Sequence, residues 1–164
     1  MRHFRGLPLL IVALALAAIV AGTAFGAAQK KISFTGTYKG TVAEKVDGSN
    51  VTAVANASGK GTLIGSSKLA GTVKATTANP PCSPIAGPGT ITSSKGKLKI
   101  TVVTPSRGCA AGEDDQDNIA VSGTAKVAGG TAMFKKAKGT LHFTGHYDRK
   151  GGSFNVKLTG SLTY

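Results

Sequence analysis

Apolar and polar residues alternate along the C-terminal part of the chain, from Asn118 to Tyr164. The last segment has Ser, Asn, Lys and Thr between its apolar residues, which are Phe154, Val156, Leu158, Leu162 and Tyr164. Successive side chains of a strand point to opposite faces, so this period of two predicts a strand with one buried face. Leu141–Tyr147 and Ile119–Val127 follow the same pattern. Three such strands need an opposing apolar layer.

The same alternation of apolar and polar residues continues upstream, where short segments are separated by turns rich in Gly, Ser and Asp. These segments are Ile32–Val42, Val51–Ala57, Gly61–Gly65, Leu69–Ala75, Gly89–Thr92 and Leu98–Val102. No segment has the period of an amphipathic helix. We therefore predict an all-β protein of eight, or nine, antiparallel strands. Glycines inside the strands permit the bends of a closed barrel, which removes exposed edges. A two-sheet β-sandwich is the alternative architecture.

The first 28 residues are typical of a secretory signal peptide. Arg2 and Arg5 precede an apolar stretch, Leu7–Val20, and small residues dominate Ala21–Ala28. This order favours cleavage and export. The alternative is an uncleaved membrane anchor, since Leu7–Ala28 is long enough to span a bilayer. We predict one barrel domain over residues 29–164, in a secreted or extracytoplasmic protein.

The exported chain is strongly basic. Residues 1–28 contain two of the 20 Lys and Arg and none of the seven Asp and Glu, which leaves 18 against 7, or +11. Two groups of lysines are candidates for contact with a polyanion: Lys95, Lys97 and Lys99, and Lys135, Lys136 and Lys138. Such a charge attracts an anionic cell-envelope polymer, although exposed lysines also serve solubility. Aromatic platforms for specific nucleic-acid binding are not evident.

Two cysteines, Cys82 and Cys109, follow the signal segment. In an exported chain they are expected to form a disulfide. Each lies in a predicted loop that contains Pro or Gly, and the two loops bracket the hairpin predicted around Ser94–Gly96. A small core gains from such a covalent link. A redox or nucleophilic role is disfavoured, because there is no C-x-x-C motif.

A motif before the last hairpin resembles a known family. The segment from Val127 to Thr140 is similar to the Gly-Gly-Thr-Gly-x-Phe-x-x-Ala-x-Gly stretch of dirigent proteins and allene oxide cyclase-like barrels. The matching residues are Gly129, Gly130, Thr131, Phe134, Ala137 and Gly139, with Ala132 in place of the fourth glycine. Physically, the glycines allow positive φ, Thr131 can cap a helical turn, and Phe134 with Ala137 can plug a barrel end.

The resemblance implies an eight-stranded antiparallel barrel whose lumen holds a small apolar ligand. The family's chemistry is not expected to transfer, because every carboxylate of this chain falls in a predicted turn or loop. These are Glu44, Asp47, Glu113, Asp114, Asp115, Asp117 and Asp148. An inward carboxylate, the usual agent of acid–base assistance, is then missing. We assign no catalytic residue and no cofactor.

Four further residues are candidates for facing the lumen or a ligand: Tyr38, His142, His146 and Tyr147. The Cα atoms of His142 and His146 would lie roughly 13 Å apart on one strand, too far to share a metal. The acidic run Glu113–Asn118 suits Ca²⁺ in its oxygen ligands but lacks the Gly and Glu of an EF-hand loop. We interpret it as a solvated loop and predict no metal site.

Three hypotheses of function follow. The first is an exported, non-enzymatic barrel that binds a small apolar molecule in its lumen. The second is a dirigent- or cyclase-like barrel enzyme, and the third is a basic adhesion module of the cell surface. The sequence does not decide the oligomeric state.

Overall fold

The computed structural model describes residues 30–76, 81–112 and 114–164. The predicted signal peptide lies outside the described residues. The strands are β1 (Lys31–Asp47), β2 (Asn50–Gly61), β3 (Gly65–Thr76), β4 (Cys82–Pro84), β5 (Gly87–Ser93), β6 (Gly96–Ala110), β7 (Asn118–Gly130), β8 (Lys138–Asp148) and β9 (Ser153–Thr163). A 3-10 turn, Ala132–Phe134, lies between β7 and β8. Within the described residues, no helix is long and apolar enough to cross a bilayer.

Eight of the strands close into an antiparallel barrel. The hydrogen-bonded order is β6-β5-β3-β2-β1-β9-β8-β7, and β7 pairs back onto β6 to complete the ring. The short strand β4 lies outside this ring and pairs with the C-terminal part of β6. The predicted barrel is therefore confirmed, and the sandwich alternative is wrong, because the β1–β9 and β6–β7 pairings join all eight strands in one closed ring.

The strand register places the alternating apolar residues inside. In β9, Val156, Leu158 and Leu162 are buried, whereas Asn155 and Lys157 on the opposite face are exposed. β8, the other strand of the final hairpin, shows the same alternation of buried and exposed residues. Alternate residues of these strands therefore face the lumen and the solvent, as expected for a strand with one buried face.

One end of the barrel is filled by large side chains. This closed end contains the N-terminal half of β1, the β2–β3 turn, the beginnings of β6 and β8, and the end of β9. Its fully buried residues include Phe34, Tyr38, Ile64, Leu98, Phe134, Leu141 and Leu162. The Tyr38 hydroxyl lies 3.0 Å from Ser67 Oγ, which satisfies both buried polar atoms.

The segment between β7 and β8 closes this end. Phe134 and Ala137 are buried, and Gly129 has φ of 79°, a conformation that glycine adopts without cost. A Cβ at Gly130 would overlap the carbonyl oxygen of Lys97. Thr131 is the N-cap residue, but its hydroxyl makes no cap bond. Instead Thr131 Oγ1 accepts a 3.0 Å hydrogen bond from the Lys97 N–H, so our capping prediction is wrong and the hydroxyl links the insert to β6.

A disulfide joins two strands at the other end of the barrel. Cys82 of β4 and Cys109 of β6 are directly opposed and disulfide-bonded, which confirms the predicted pairing. Both cysteines lie in paired strands, so their predicted placement in loops is wrong. Nearby, the β6–β7 register shifts between Val103 and Arg107. Buried Ser106 fills this bulge: its Oγ accepts from the Thr124 N–H at 3.0 Å and donates to the Val103 carbonyl. The side chain thus supplies the hydrogen bond that the interrupted ladder lacks.

Candidate functional site

The half of the barrel opposite the closed end contains a cavity. A cavity of about 260 Å³ lies between the ends of β1, β3, β6 and β8 and the beginnings of β2, β5, β7 and β9. Its walls are mostly aliphatic and include Val42, Val51, Val73, Val102, Ile119 and Val121. Several of these inward-facing side chains are only partly buried. The lumen is therefore apolar and reachable from this end, which we call the mouth.

The cavity exists because the inward residues change in size along the barrel. At the closed end they are Phe, Tyr, Leu and Ile, whereas β2 and β3 present Ala53, Ala55, Gly71 and Ala75 to the lumen near the mouth. An eight-stranded barrel is just wide enough to be filled by its own side chains or to hold one small ligand. The small residues on β2 and β3 leave room for such a ligand in this half of the barrel.

A polar cluster stands at the mouth. Arg149 Nε donates to Glu44 Oε2 at 3.1 Å, and Arg149 Nη1 donates to the Gln116 carbonyl at 3.0 Å. Glu44 is 17% exposed and Arg149 42%, so the pair straddles the rim. All three residues and Tyr147 contribute to the cavity wall. A ligand with an apolar body would leave its polar end among these groups.

Tyr147 extends this cluster inward. Burial raises the pKa of its phenol, the negative charge of Glu44 raises it further, and Arg149 acts in the opposite direction. The phenol is therefore a neutral hydroxyl at neutral pH, able to donate and accept a hydrogen bond. Tyr38, the other candidate tyrosine, lies in the packed closed end and does not contribute to the cavity wall.

Glu44 corrects a prediction made from the sequence. We placed every carboxylate in a turn or loop, but β1 extends to Asp47 and carries Glu44 into the lumen. The sequence contains the pattern that predicts this position. Phe34, Tyr38 and Val42 lie on the inward face of β1, and Glu44, two residues after Val42, continues that face. The prediction ended this strand at Val42, two residues too early to include Glu44.

The two candidate histidines do not face the lumen. His142 and His146 are exposed on the outer face of β8. His142 Nδ1 lies 3.4 Å from Thr124 Oγ1, and His146 Nε2 lies 3.1 Å from Asn118 Oδ1. Their proposed lumen role is wrong, because Leu141, Phe143 and Tyr147 take the inward parity of this strand.

The described part of the acidic run, residues 114–117, lies in the loop between β6 and β7, and Glu113 lies outside the described residues. Asp115 Oδ2 accepts from the Asn118 side-chain amide at 2.6 Å, and Asp115 Oδ1 accepts from its backbone N–H. The carboxylate is thus occupied in fixing the loop. No three His, Cys, Asp or Glu of the described residues are grouped so as to hold a metal.

The six candidate lysines are all exposed and lie at the closed end. Lys95, Lys97 and Lys99 lie at the β5–β6 hairpin, and Lys135, Lys136 and Lys138 belong to the insert and the start of β8. The structure adds Lys126, which with the last three surrounds a surface groove. The sequence could not show this, because the groove needs the β7–β8 pairing.

The fold and the cavity together define a closed β-barrel with one plugged end and one open apolar lumen. Searches with family models, against curated proteins and against solved structures found no match to this chain. The resemblance to dirigent and allene oxide cyclase-like barrels therefore stays a prediction.

Proposed function

We propose that this protein is an exported barrel that binds a small, largely apolar molecule in its lumen. The observation that carries the proposal is the half-empty barrel. Aliphatic side chains line a cavity of about 260 Å³ and stay partly exposed to water. Burial of such surface is the main source of binding energy for apolar ligands, at about 25 cal/mol per Å².

The cavity limits the ligand's size. Ligand sites for drug-sized molecules have volumes of about 300–1,000 Å³. At about 30 Å³ for each water-sized group, the lumen holds roughly nine such groups. We infer a molecule with about ten non-hydrogen atoms, such as a medium-length aliphatic chain or a single apolar ring system.

The mouth suggests one polar group on that molecule. Arg149 and the Tyr147 hydroxyl can donate a hydrogen bond, and Glu44 can accept one. A neutral hydroxyl or carbonyl would satisfy this mixed cluster without breaking the Arg149–Glu44 ion pair. A fully apolar ligand would bind in the lumen alone.

Export is part of the proposal. The disulfide between Cys82 and Cys109 is consistent with an extracytoplasmic protein, since such bonds persist in oxidising compartments. The basic n-region and apolar stretch before residue 29 supply the signal expected for that route.

A barrel enzyme of the dirigent or cyclase type is the second candidate. It is favoured by Glu44, a carboxylate in the cavity wall next to the Tyr147 phenol. Such a pair could assist proton transfer at a bound ligand. Against it, Glu44 is already engaged by Arg149 at 3.1 Å.

The test is native mass spectrometry of the protein purified from its own host. A co-purifying mass that is lost from a lumen-filled variant, Ala55→Phe, supports the carrier. Purified protein that carries no ligand and takes up no apolar compound from a mixed extract contradicts it.

A further inference from the structure

Charge is divided between the two ends of the barrel. The side-chain carboxylates of the described residues lie at the mouth end: Glu44 and Asp47 at the end of β1, Asp114, Asp115 and Asp117 in the loop before β7, and Asp148 at the end of β8. At the closed end the charged side chains are all lysines, namely Lys30, Lys31, Lys60, Lys68, Lys95, Lys97, Lys99, Lys126, Lys135, Lys136 and Lys138. The positive charge is therefore concentrated on one end.

The lysines of the closed end have no ionic partners among the described residues. The ion pair Arg149–Glu44 lies at the mouth. At the closed end, the lysine amines that donate hydrogen bonds donate them to neutral acceptors. Lys95 Nζ donates to the Leu63 carbonyl at 2.6 Å, and Lys126 Nζ donates to Thr140 Oγ1 at 3.1 Å. A set of uncompensated ammonium groups raises the local concentration of anions at this end.

An apolar group protrudes among these lysines. Met133, in the 3-10 turn of the insert, is 37% exposed, and Lys135 and Lys136 follow it directly. An exposed apolar side chain with basic neighbours is the pattern of surfaces that lie in a lipid interface, because the chain can enter the headgroup region while the amines contact phosphates.

The chain also enters the barrel at this end. The backbone of Lys30 pairs with that of Tyr164, so the first described residue lies at the closed end and not at the mouth. The apolar sequence Leu7–Val20 lies upstream. During export, a segment of this kind would hold the closed end towards the membrane.

We propose that the closed end is a docking surface for an anionic lipid membrane and that the mouth faces the water. Four lysines form its centre: Lys126, Lys135, Lys136 and Lys138, which surround one groove. Met133 inserts between headgroups. A lipid surface fits better than a soluble anionic polymer because an exposed apolar side chain, Met133, lies among the lysines at this end.

The experiment compares two variants with the same net charge. One replaces Lys126, Lys135, Lys136 and Lys138 with Gln, and its matched control replaces Lys45, Lys74, Arg107 and Lys150, which are exposed towards the mouth. The protein is prepared as its host exports it, and folding is checked by circular dichroism. Partition is measured on vesicles of phosphatidylcholine with about a third phosphatidylglycerol. Any N-terminal segment that is retained is shared by both variants.

Each lysine near an anionic surface is worth about a fivefold change in partition. We expect the closed-end variant to lose at least about a hundredfold and the control less than about tenfold. We also expect Met133→Ser to weaken binding to vesicles several-fold while leaving binding to soluble polyphosphate unchanged.

Two outcomes overturn the proposal. Equal losses in both four-residue variants would mean that net charge alone drives the binding. Unchanged vesicle partition in Met133→Ser, together with saturable binding to polyphosphate, would assign the surface to an anionic polymer.

Discussion

Filling the lumen with one side chain should abolish ligand binding while preserving the fold. Ala55 lies in the cavity wall on β2, and its neighbours across the two strand pairs are Val42 and Gly71. Gly71 has no side chain, so a phenyl ring at position 55 has space to enter. Val54 is the matched control, because it is 40% exposed on the outer face of the same strand.

The magnitude follows from the volume. The lumen holds roughly nine water-sized groups, and Ala55→Phe adds six ring carbons. At about 0.8 kcal/mol per buried CH₂, losing room for six groups weakens a ligand that fills the cavity by about 5 kcal/mol, more than a thousandfold. Packing in a partly empty site should leave the free energy of unfolding unchanged or raise it by about 1 kcal/mol.

The assay is calorimetric titration with a series of primary alcohols from hexanol to dodecanol. In the unaltered protein each added CH₂ should tighten binding about fourfold until roughly nine carbons, after which affinity levels off. Burial of apolar surface should give a negative heat-capacity change. Val54→Phe should bind as the unaltered protein does.

The reasoning is refuted if Ala55→Phe binds the longer alcohols as tightly as Val54→Phe does. It is refuted equally if affinity continues to rise to dodecanol without a break, since a cavity of fixed volume cannot give that result.

Three further predictions concern stability. Replacing both Cys82 and Cys109 with Ser should lower the free energy of unfolding by about 3–4 kcal/mol and the melting temperature by about 10 °C. The reason is the chain entropy that the unfolded protein regains when a loop with a sequence separation of 27 is opened. A loss below about 1 kcal/mol would contradict this. Ala132→Gly should raise the free energy of unfolding in urea by about 0.5–1 kcal/mol, because Ala132 has φ of 51°, whereas Ala128→Gly on the regular strand β7 should lower it. Burial raises the pKa of Tyr38 above that of an unfolded tyrosine, so its contribution to stability is complete below about pH 10 and is lost as the pH rises through the higher folded pKa. Tyr38→Phe should therefore flatten the decline of stability above pH 10, and an unchanged slope would count against this.

Much of the barrel could be predicted from local pattern. Alternation fixed the inward faces of β8 and β9, because the period of a strand is a property of neighbouring residues. The motif placed Phe134 and Ala137 near a barrel end, and both are buried there. The disulfide followed from two cysteines in an exported chain.

The remainder depends on pairings distant in sequence. The extension of β1 from Val42 to Asp47 is held by five residues of β2, Asn50–Val54, and without that partner the sequence after Val42 resembles a loop. The continuation of β6 past Pro105 uses Ser106 to bridge a bulge that composition does not reveal. The division of charge between the ends appears only when the strands lie side by side.

The central claim is that the lumen is open and takes an apolar molecule, and methyl NMR with bound decanol tests it most directly. We predict nuclear Overhauser contacts from the decyl chain to methyl groups inside the mouth, such as those of Val51, Val73 and Ile119. Contacts confined to the exposed methyls of Val46, Val54 and Met133, or no contacts at all, would contradict the account.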